Sequence, residues 1–181
     1  AVFIASAVVF CAVFAPLLAP YDPSAVSPEE ILEHSSAAHW FGTDALGRDI
    51  LSRVIYGARS SVAFAFCSAF CTMVLGLSLG IVSGYFGGLA DKSVQCLVAL
   101  FQGLPGTSLM IAIAAILPEN DFRIIIALTL TSWTGFSRIV RNEVLRIKGE
   151  TYMEGIRSIG AGHRYILRKY IFPNLLPVLI V

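Results

Sequence analysis

From Val62 to Phe86 the chain carries no Asp, Glu, Lys, Arg or His, and the same holds from Val94 to Leu117 and from Ile124 to Phe136. Such stretches leave the backbone few options. In hydrocarbon every N–H and C=O must be satisfied within the protein, so runs of about 20 apolar residues are read as membrane-spanning helices. Ala1–Pro20 is a further run of this kind. Composition agrees: 56% of the 181 residues are hydrophobic and 14% charged, against about half and about a quarter in soluble domains. The pattern predicts an all-α, polytopic helical bundle with the lipid bilayer as its medium and no nucleic-acid partner.

The expected organisation has three parts. Residues 1–20 form a first span. A cleaved signal peptide is the alternative, but no basic segment precedes the run and more spans follow. Residues 21–60 form an extracytoplasmic segment with an interfacial helix. Residues 61–181 form the core, with spans Ser61–Phe86, Val94–Leu117 and Ile124–Phe136, a cytosolic loop over 138–170 and the start of a fifth span. The chain starts inside one apolar run and stops inside another, which reads as a piece of a longer protein.

Sidedness follows from Lys and Arg, which favour the cytosol. Arg138, Arg141, Arg146, Lys148, Arg157, Arg164, Arg168 and Lys169 follow the fourth run. Residues 138–170 and the N-terminus are therefore expected in the cytosol, and 21–60 outside.

Ionisable residues inside spans mark proton relays and ion-coupling sites. Their absence argues against an ion-coupled carrier and an intramembrane hydrolase. There is no Walker phosphate loop, G-x-S-x-G or HExxH either. No catalytic residue, cofactor or metal is expected, and the chain is not read as an enzyme. His34, His39 and His163 do not form a metal site by spacing. Cys11, Cys67, Cys71 and Cys96 lie in apolar runs without a C-x-x-C and are expected as buried, inert thiols. If the spans transport, a partner must supply the energy.

Within the spans, Gly76, Gly80 and Gly84 recur at i, i+4, i+8, a smooth groove for close helix packing. Pro105 must kink or break the third run, because it lacks an N–H and crowds the preceding turn. Gln102, Thr107 and Ser108 flank it. They are read either as pathway-lining residues or, for Gln102, as an interhelical hydrogen-bonding group. In the outside segment Glu29, Glu30 and Glu33 suggest a short surface helix. Asp44 or Asp49 is expected to cap an amphipathic helix from Ile50. That helix reads as interfacial or as a gate, with Trp40, Phe41 and Tyr56 at the membrane–water boundary.

Glu150–Pro177 is the most structured polar stretch. It predicts two short helices separated at Gly160-Ala161-Gly162. Tyr152, Ile156 and Ile159 share a face by spacing, and Glu154 and Arg157 can pair on another. Arg164 and Arg168 form a basic stripe, and Pro173 bends the entry to the next span. The elbow fits a groove on another protein, and equally a basic helix on the membrane surface.

Two motifs resemble a known family. Tyr152-Met153-Glu154-Gly155-Ile156-Arg157-Ser158-Ile159-Gly160, continued by Ile166-Leu167-Arg168-Lys169-Tyr170-Ile171-Phe172-Pro173, is similar to the EAA loop of binding-protein-dependent ABC importer permeases. Gly155 and Ile156 replace the two alanines, and Phe172 stands where Leu is usual. The outside stretch His39-Trp40-Phe41-Gly42-Thr43-Asp44, with Leu46-Gly47-Arg48-Asp49 and Tyr56-Gly57-Ala58-Arg59, resembles the signature of the dipeptide/oligopeptide/nickel permeases, second subunit of the pair. The resemblance implies a truncated MetI-like, type I ABC importer permease of the cell membrane. Its expected partners are a second homologous permease, two ABC ATPase subunits and an extracytoplasmic solute-binding protein. It implies peptide transport, with nickel or another small solute as alternatives. It also implies an ATPase-coupling surface at Tyr152, Glu154, Gly155, Ile156, Arg157, Ile159, Gly160, Arg164 and Arg168, and leaves Gln102, Pro105, Thr107 and Ser108 as pathway candidates. A membrane scaffold that recruits a cytosolic partner is the reading of a different class.

Overall fold

The computed structural model describes residues 2–120 and 122–180. These residues form helices and loops without a strand, and their one bridge of strand type pairs Thr43 with Asp49. The fold is all-α. Two compact units divide the chain, the first running through Phe66 and the second from Cys67.

In the first unit the opening apolar run folds as α1 (Val2–Val13) and α2 (Ala15–Leu18), with Phe14 between them. Pro16 explains the interruption: it has no N–H to donate and is tolerated only in the first turn of a new helix. The expected acidic surface helix is a single 3₁₀ turn, Pro28–Glu30, and Glu33 lies outside it. Instead, Glu33 contributes backbone: its N–H donates to Thr43 Oγ1 at 2.9 Å and its carbonyl accepts from the Thr43 N–H at 3.1 Å.

The aromatic–glycine signature is a folded loop. Gly42 and Gly47 have φ of 73° and 72°, the left-handed region that glycine enters without penalty. A Cβ at Gly47 would lie 1.8 Å from the Ser27 carbonyl oxygen, and one at Gly42 2.4 Å from that of Glu33. Asp44 accepts from the N–H groups of Leu46 and Arg48 and pairs with the Arg48 and Arg53 guanidinium groups. Of the two capping candidates, Asp49 is the cap: its Oδ2 accepts from the Ser52 N–H at 2.8 Å. The helix that follows is α3 (Ile50–Phe86). The expected interfacial helix from Ile50 and the span from Ser61 are thus one continuous helix, because no residue between them breaks the i→i−4 ladder. Trp40 and Phe41 are exposed on the loop.

His39 is buried in this loop, with Nδ1 3.0 Å from Asp49 Oδ1 and Nε2 3.6 Å from Glu30 Oε2. The hydrogen bond to Asp49 raises the His39 pKa above 6.5 despite burial. Burial pushes Asp49 up, but the bonds from Ser52 and His39 outweigh it and hold the carboxyl below 3.8. The signs follow by linkage. The His39 contribution is complete below 6.5 and is lost as pH rises through the raised value. The Asp49 contribution is complete above 3.8 and is lost as pH falls through the depressed one. Protection of the Ser52 amide in hydrogen exchange is therefore expected to be greatest between 3.8 and 6.5 and to fall on both sides. His39→Gln removes the alkaline fall; a profile identical in that variant refutes the assignment.

The second unit contains the last part of α3, then α4 (Gly88–Gln102), α5 (Gly106–Ile116), α6 (Phe122–Lys148), α7 (Thr151–Ser158), α8 (His163–Ile166) and α9 (Phe172–Ile180). α3 is long and apolar enough to cross a membrane, and α4 and α5 qualify as a bent pair. The third run is not one straight span. Pro105 ends it outright, and the two helices meet at 93°.

Gly76, Gly80 and Gly84 line the contact of α3 with α6. Cβ atoms there would lie 2.8 Å from Phe136 Cδ1, 2.7 Å from the Ser137 carbonyl oxygen and 2.9 Å from that of Arg141, respectively. Residue numbers climb together on both helices, so they run parallel here, and α4 and α5 bring the chain back between them. The buried face of α6, with Trp133, Ser137, Val140, Val144 and Ile147, repeats at helical spacing. Its upper part packs with Val94 and Val98, its lower part with Tyr85, Met153, Ile166, Ile171 and Leu175. The cysteines correct the expectation of burial: Cys67, Cys71 and Cys96 are exposed and Cys11 is half-buried. In a membrane chain, apolar runs face lipid as well as core, so an apolar neighbourhood does not imply an inward position.

Candidate coupling surface

The polar elbow hangs from the ends of α3 and α6. Lys148, the last residue of α6, donates from Nζ to the Tyr85 and Gly84 carbonyl oxygens at 2.7 and 3.1 Å. Those are orphan acceptors at the C-terminus of α3, where a cation also complements the helix dipole. Two turns earlier, Arg141 grips Asp91 of α4 through Nε and Nη2 at 2.7 and 2.6 Å. Ser83 of α3 donates to the same carboxylate, and Gln95 donates to Ser83 at 3.3 Å. Three helices are thus tied at one level. On the exposed side Arg146 pairs with Glu143 and Glu150 across the exit from α6.

α7 begins after Glu150, whose carbonyl accepts from the Met153 N–H at 2.9 Å. Met153 is fully buried and Ile156 packs against the same cluster. The helix ends in a Schellman turn. Gly160 has φ 81°, its N–H bonds the Arg157 carbonyl at 2.9 Å, and the Ala161 N–H bonds that of Ile156 at 3.3 Å. The apolar contact that accompanies this motif is present too, since Ile156 and Ala161 both pack on the core. A Cβ at Gly160 would meet nothing within 4 Å, so its requirement is purely conformational.

This geometry corrects the expected ridge. The inward anchor of α7 is Met153 with Ile156; Tyr152 and Ile159 are 45% and 83% exposed. Ile159 lies past the helix end, with φ −82° and ψ 8°, so helical spacing does not apply to it. Glu154 and Arg157 form no ion pair among the described residues. Gly155 sits mid-helix with open space beside it. The outer surface of α7 thus presents Tyr152, Glu154 and Gly155 away from the core, with Ile159 exposed just past its end.

Beyond the turn, α8 is pinned by buried Ile166, and Tyr85 Oη lies 2.9 Å from His163 Nδ1. Arg164 and Arg168 are exposed. Residues Leu167–Ile171 form a π turn, a local widening suited to a proline that removes a bond. Pro173 cannot donate to the Lys169 carbonyl, and Asn174 Nδ2 donates to that of Tyr170 at 2.6 Å. The helical path from His163 to Ile180 continues past Pro173 without a break.

The pathway candidates gather at the 93° break. Gln102, Pro105, Thr107 and Ser108 are all exposed there, and Gln102 Oε1 accepts from Arg138 Nη1 at 2.9 Å. Gln102 thus makes the interhelical bond that was one of its two readings. Residue spacing missed Asp91, Ser83 and Tyr85. Asp91 sits in a short polar turn, and only its junction with Arg141 gives it a role.

A parallel, glycine-packed helix pair, a broken apolar pair and a packed polar elbow define an all-helical chain of membrane-protein type. Residues 76–181 match the family of binding-protein-dependent transport system inner membrane components, and the chain belongs to that family. It is 34% identical over 174 residues to the oligopeptide transport system permease protein OppC of Bacillus subtilis, covering 96% of this chain and 57% of the relative. It is 38% identical over 170 residues to the dipeptide permease DppC of the same species, covering 94% and 53%. It is 36% identical over 171 residues to the glutathione permease GsiD of Pectobacterium atrosepticum, covering 94% and 57%. The chain spans a little over half the length of these curated relatives.

Proposed function

We propose that this chain is the transport-subunit portion of an ATP-driven importer of peptides, acting with a second permease, two ATPase subunits and an external solute-binding protein. The observation that carries the reading is α7. It is a short helix clamped from behind by Met153 and Ile156 and closed by the Gly160 turn, with an outer surface of Tyr152, Glu154 and Gly155, and Ile159 just past its end, open to a partner. A rigid attachment is what a force-transmitting element needs. Movement imposed on α7 passes into α6 and α8 through the shared core rather than being lost in a hinge. In this reading residues 138–170 and the N-terminus are cytosolic, 21–60 lies outside, and the exposed break at Gln102–Ser108 borders the pathway. Peptides are favoured because oligopeptide, dipeptide and glutathione permeases stand among the relatives.

The test uses the full-length permease assembled with its ATPases. Tyr152→Ser with Ile159→Ser changes two exposed side chains and leaves Met153 and the turn in place. Loss of one or two apolar anchors is expected to weaken ATPase retention at least about ten-fold. Labelled-peptide uptake into proteoliposomes should fall in parallel. Uptake and ATPase retention at wild-type levels would sink the coupling role of this surface.

A further inference from the structure

A cavity of about 440 Å³ lies between the elbow and the helix ends, lined by Tyr85, Phe86, Lys148, Arg157, Ala161, His163 and Ile166. Its polar lining is of one kind. Lys148 and Arg157 are cations, His163 and Tyr85 add a ring nitrogen and a hydroxyl, and no carboxylate contributes. Arg157 has no ion pair among the described residues. Burial lowers the Lys148 pKa, the charge of Arg157 lowers it further, and Asp91 offsets this only in part. Two like charges therefore face one concavity without an anion between them. His163 Nδ1 is engaged by Tyr85, so when Tyr85 donates, Nε2–H is a third donor.

We propose that this cavity binds a phosphate-bearing anion, held by Arg157 and Lys148 with His163 as a further donor. Guanidinium and ammonium groups make short, charge-assisted bonds to phosphate oxygens, and an Arg fork can engage two at once. A water occupies about 30 Å³ of liquid, so the cavity has room for a phosphodiester group rather than a single small ion. The apolar part of the lining is Ala161, Ile166 and Phe86, the last 57% exposed at the end of α3. A lining that combines cations with apolar side chains suits an acidic phospholipid headgroup, and basic pockets beside spanning helices are a known form of lipid recognition. A free phosphate has the same charge chemistry and is separated from the lipid by the experiment.

The full-length protein, purified in detergent, is exchanged into phosphatidylcholine and titrated with phosphatidylglycerol, and bound lipid is counted by native mass spectrometry. Wild type is expected to retain phosphatidylglycerol over phosphatidylcholine. Arg157→Gln should weaken that retention about ten-fold, the scale of one charge-assisted contact, and Arg157→Lys should keep most of it. If millimolar inorganic phosphate displaces the lipid, the site is assigned to the free anion; if it does not, to the headgroup. Equal retention of the two lipids by wild type, which needs no variant, overturns the proposal, as does equal retention of phosphatidylglycerol by wild type and Arg157→Gln.

Discussion

Gly80→Val is expected to separate α3 from α6 and to destabilise the second unit by about 3 kcal/mol, the upper end of the range for overpacking a close contact. The first added carbon would lie 2.7 Å from both the Ser137 carbonyl oxygen and Val140 Cβ. Backbone oxygen cannot rotate out of the way as the tip of a long side chain can. The helices must therefore move apart along a contact that also includes Gly76 and Gly84. Separation would loosen Val140 and Val144, which are fully buried, and through the same cluster Met153, the anchor of α7. The expected signature is a lowered melting temperature in detergent together with faster proteolysis of the elbow. Gly135→Ala is the matched control. A Cβ there meets nothing within 4 Å, and the helix-propensity gain of about 1 kcal/mol makes it neutral or stabilising. Equal melting of the two variants would refute the packing role assigned to Gly80.

Arg141→Ala is expected to cost about 2 kcal/mol. The Arg141 and Asp91 side chains are 24% and 22% exposed, so the pair is more than a surface bridge, which contributes at most about 1 kcal/mol. It is less than a fully buried one, where removing one partner costs about 3–5 kcal/mol. Truncation leaves the Asp91 carboxylate without its guanidinium partner, held by the neutral donors Ser83 and Gln95. Arg141→Lys keeps the charge but loses the two-pronged geometry, so an intermediate loss is expected. A double-mutant cycle with Asp91→Ala isolates the coupling, expected at about 1–2 kcal/mol. Additive losses would show that the two residues act separately.

Parts of this were legible in the order of residues. Long uncharged runs favour helices, because a single continuous segment satisfies its own backbone in hydrocarbon only as a helix. The i, i+4, i+8 glycines mark a close approach, Pro105 marks a break, and the elbow reads as two helices around Gly160-Ala161-Gly162. Periodicity placed Tyr152, Ile156 and Ile159 on one face of α7, whereas Ile156 turns inward beside buried Met153 and Tyr152 and Ile159 are exposed. The Schellman turn ends the helix one residue before Ile159, and helical spacing carries no information past that point. Apolar surroundings likewise misplaced the cysteines, because in a membrane chain the hydrophobic pattern does not distinguish core from lipid.

The sequence alone therefore determined the class of fold, the break at Pro105 and the place of the elbow, since each rests on a local rule: backbone hydrogen bonding in an apolar medium, the missing proline N–H, and the left-handed glycine. Only tertiary structure decided which helix the glycines touch, that Asp91 joins Arg141 fifty residues away, and that Lys148, Arg157 and His163 face one cavity. Those facts depend on how parallel helices settle in register, and register is set by side-chain volumes across a contact that no local stretch of sequence contains.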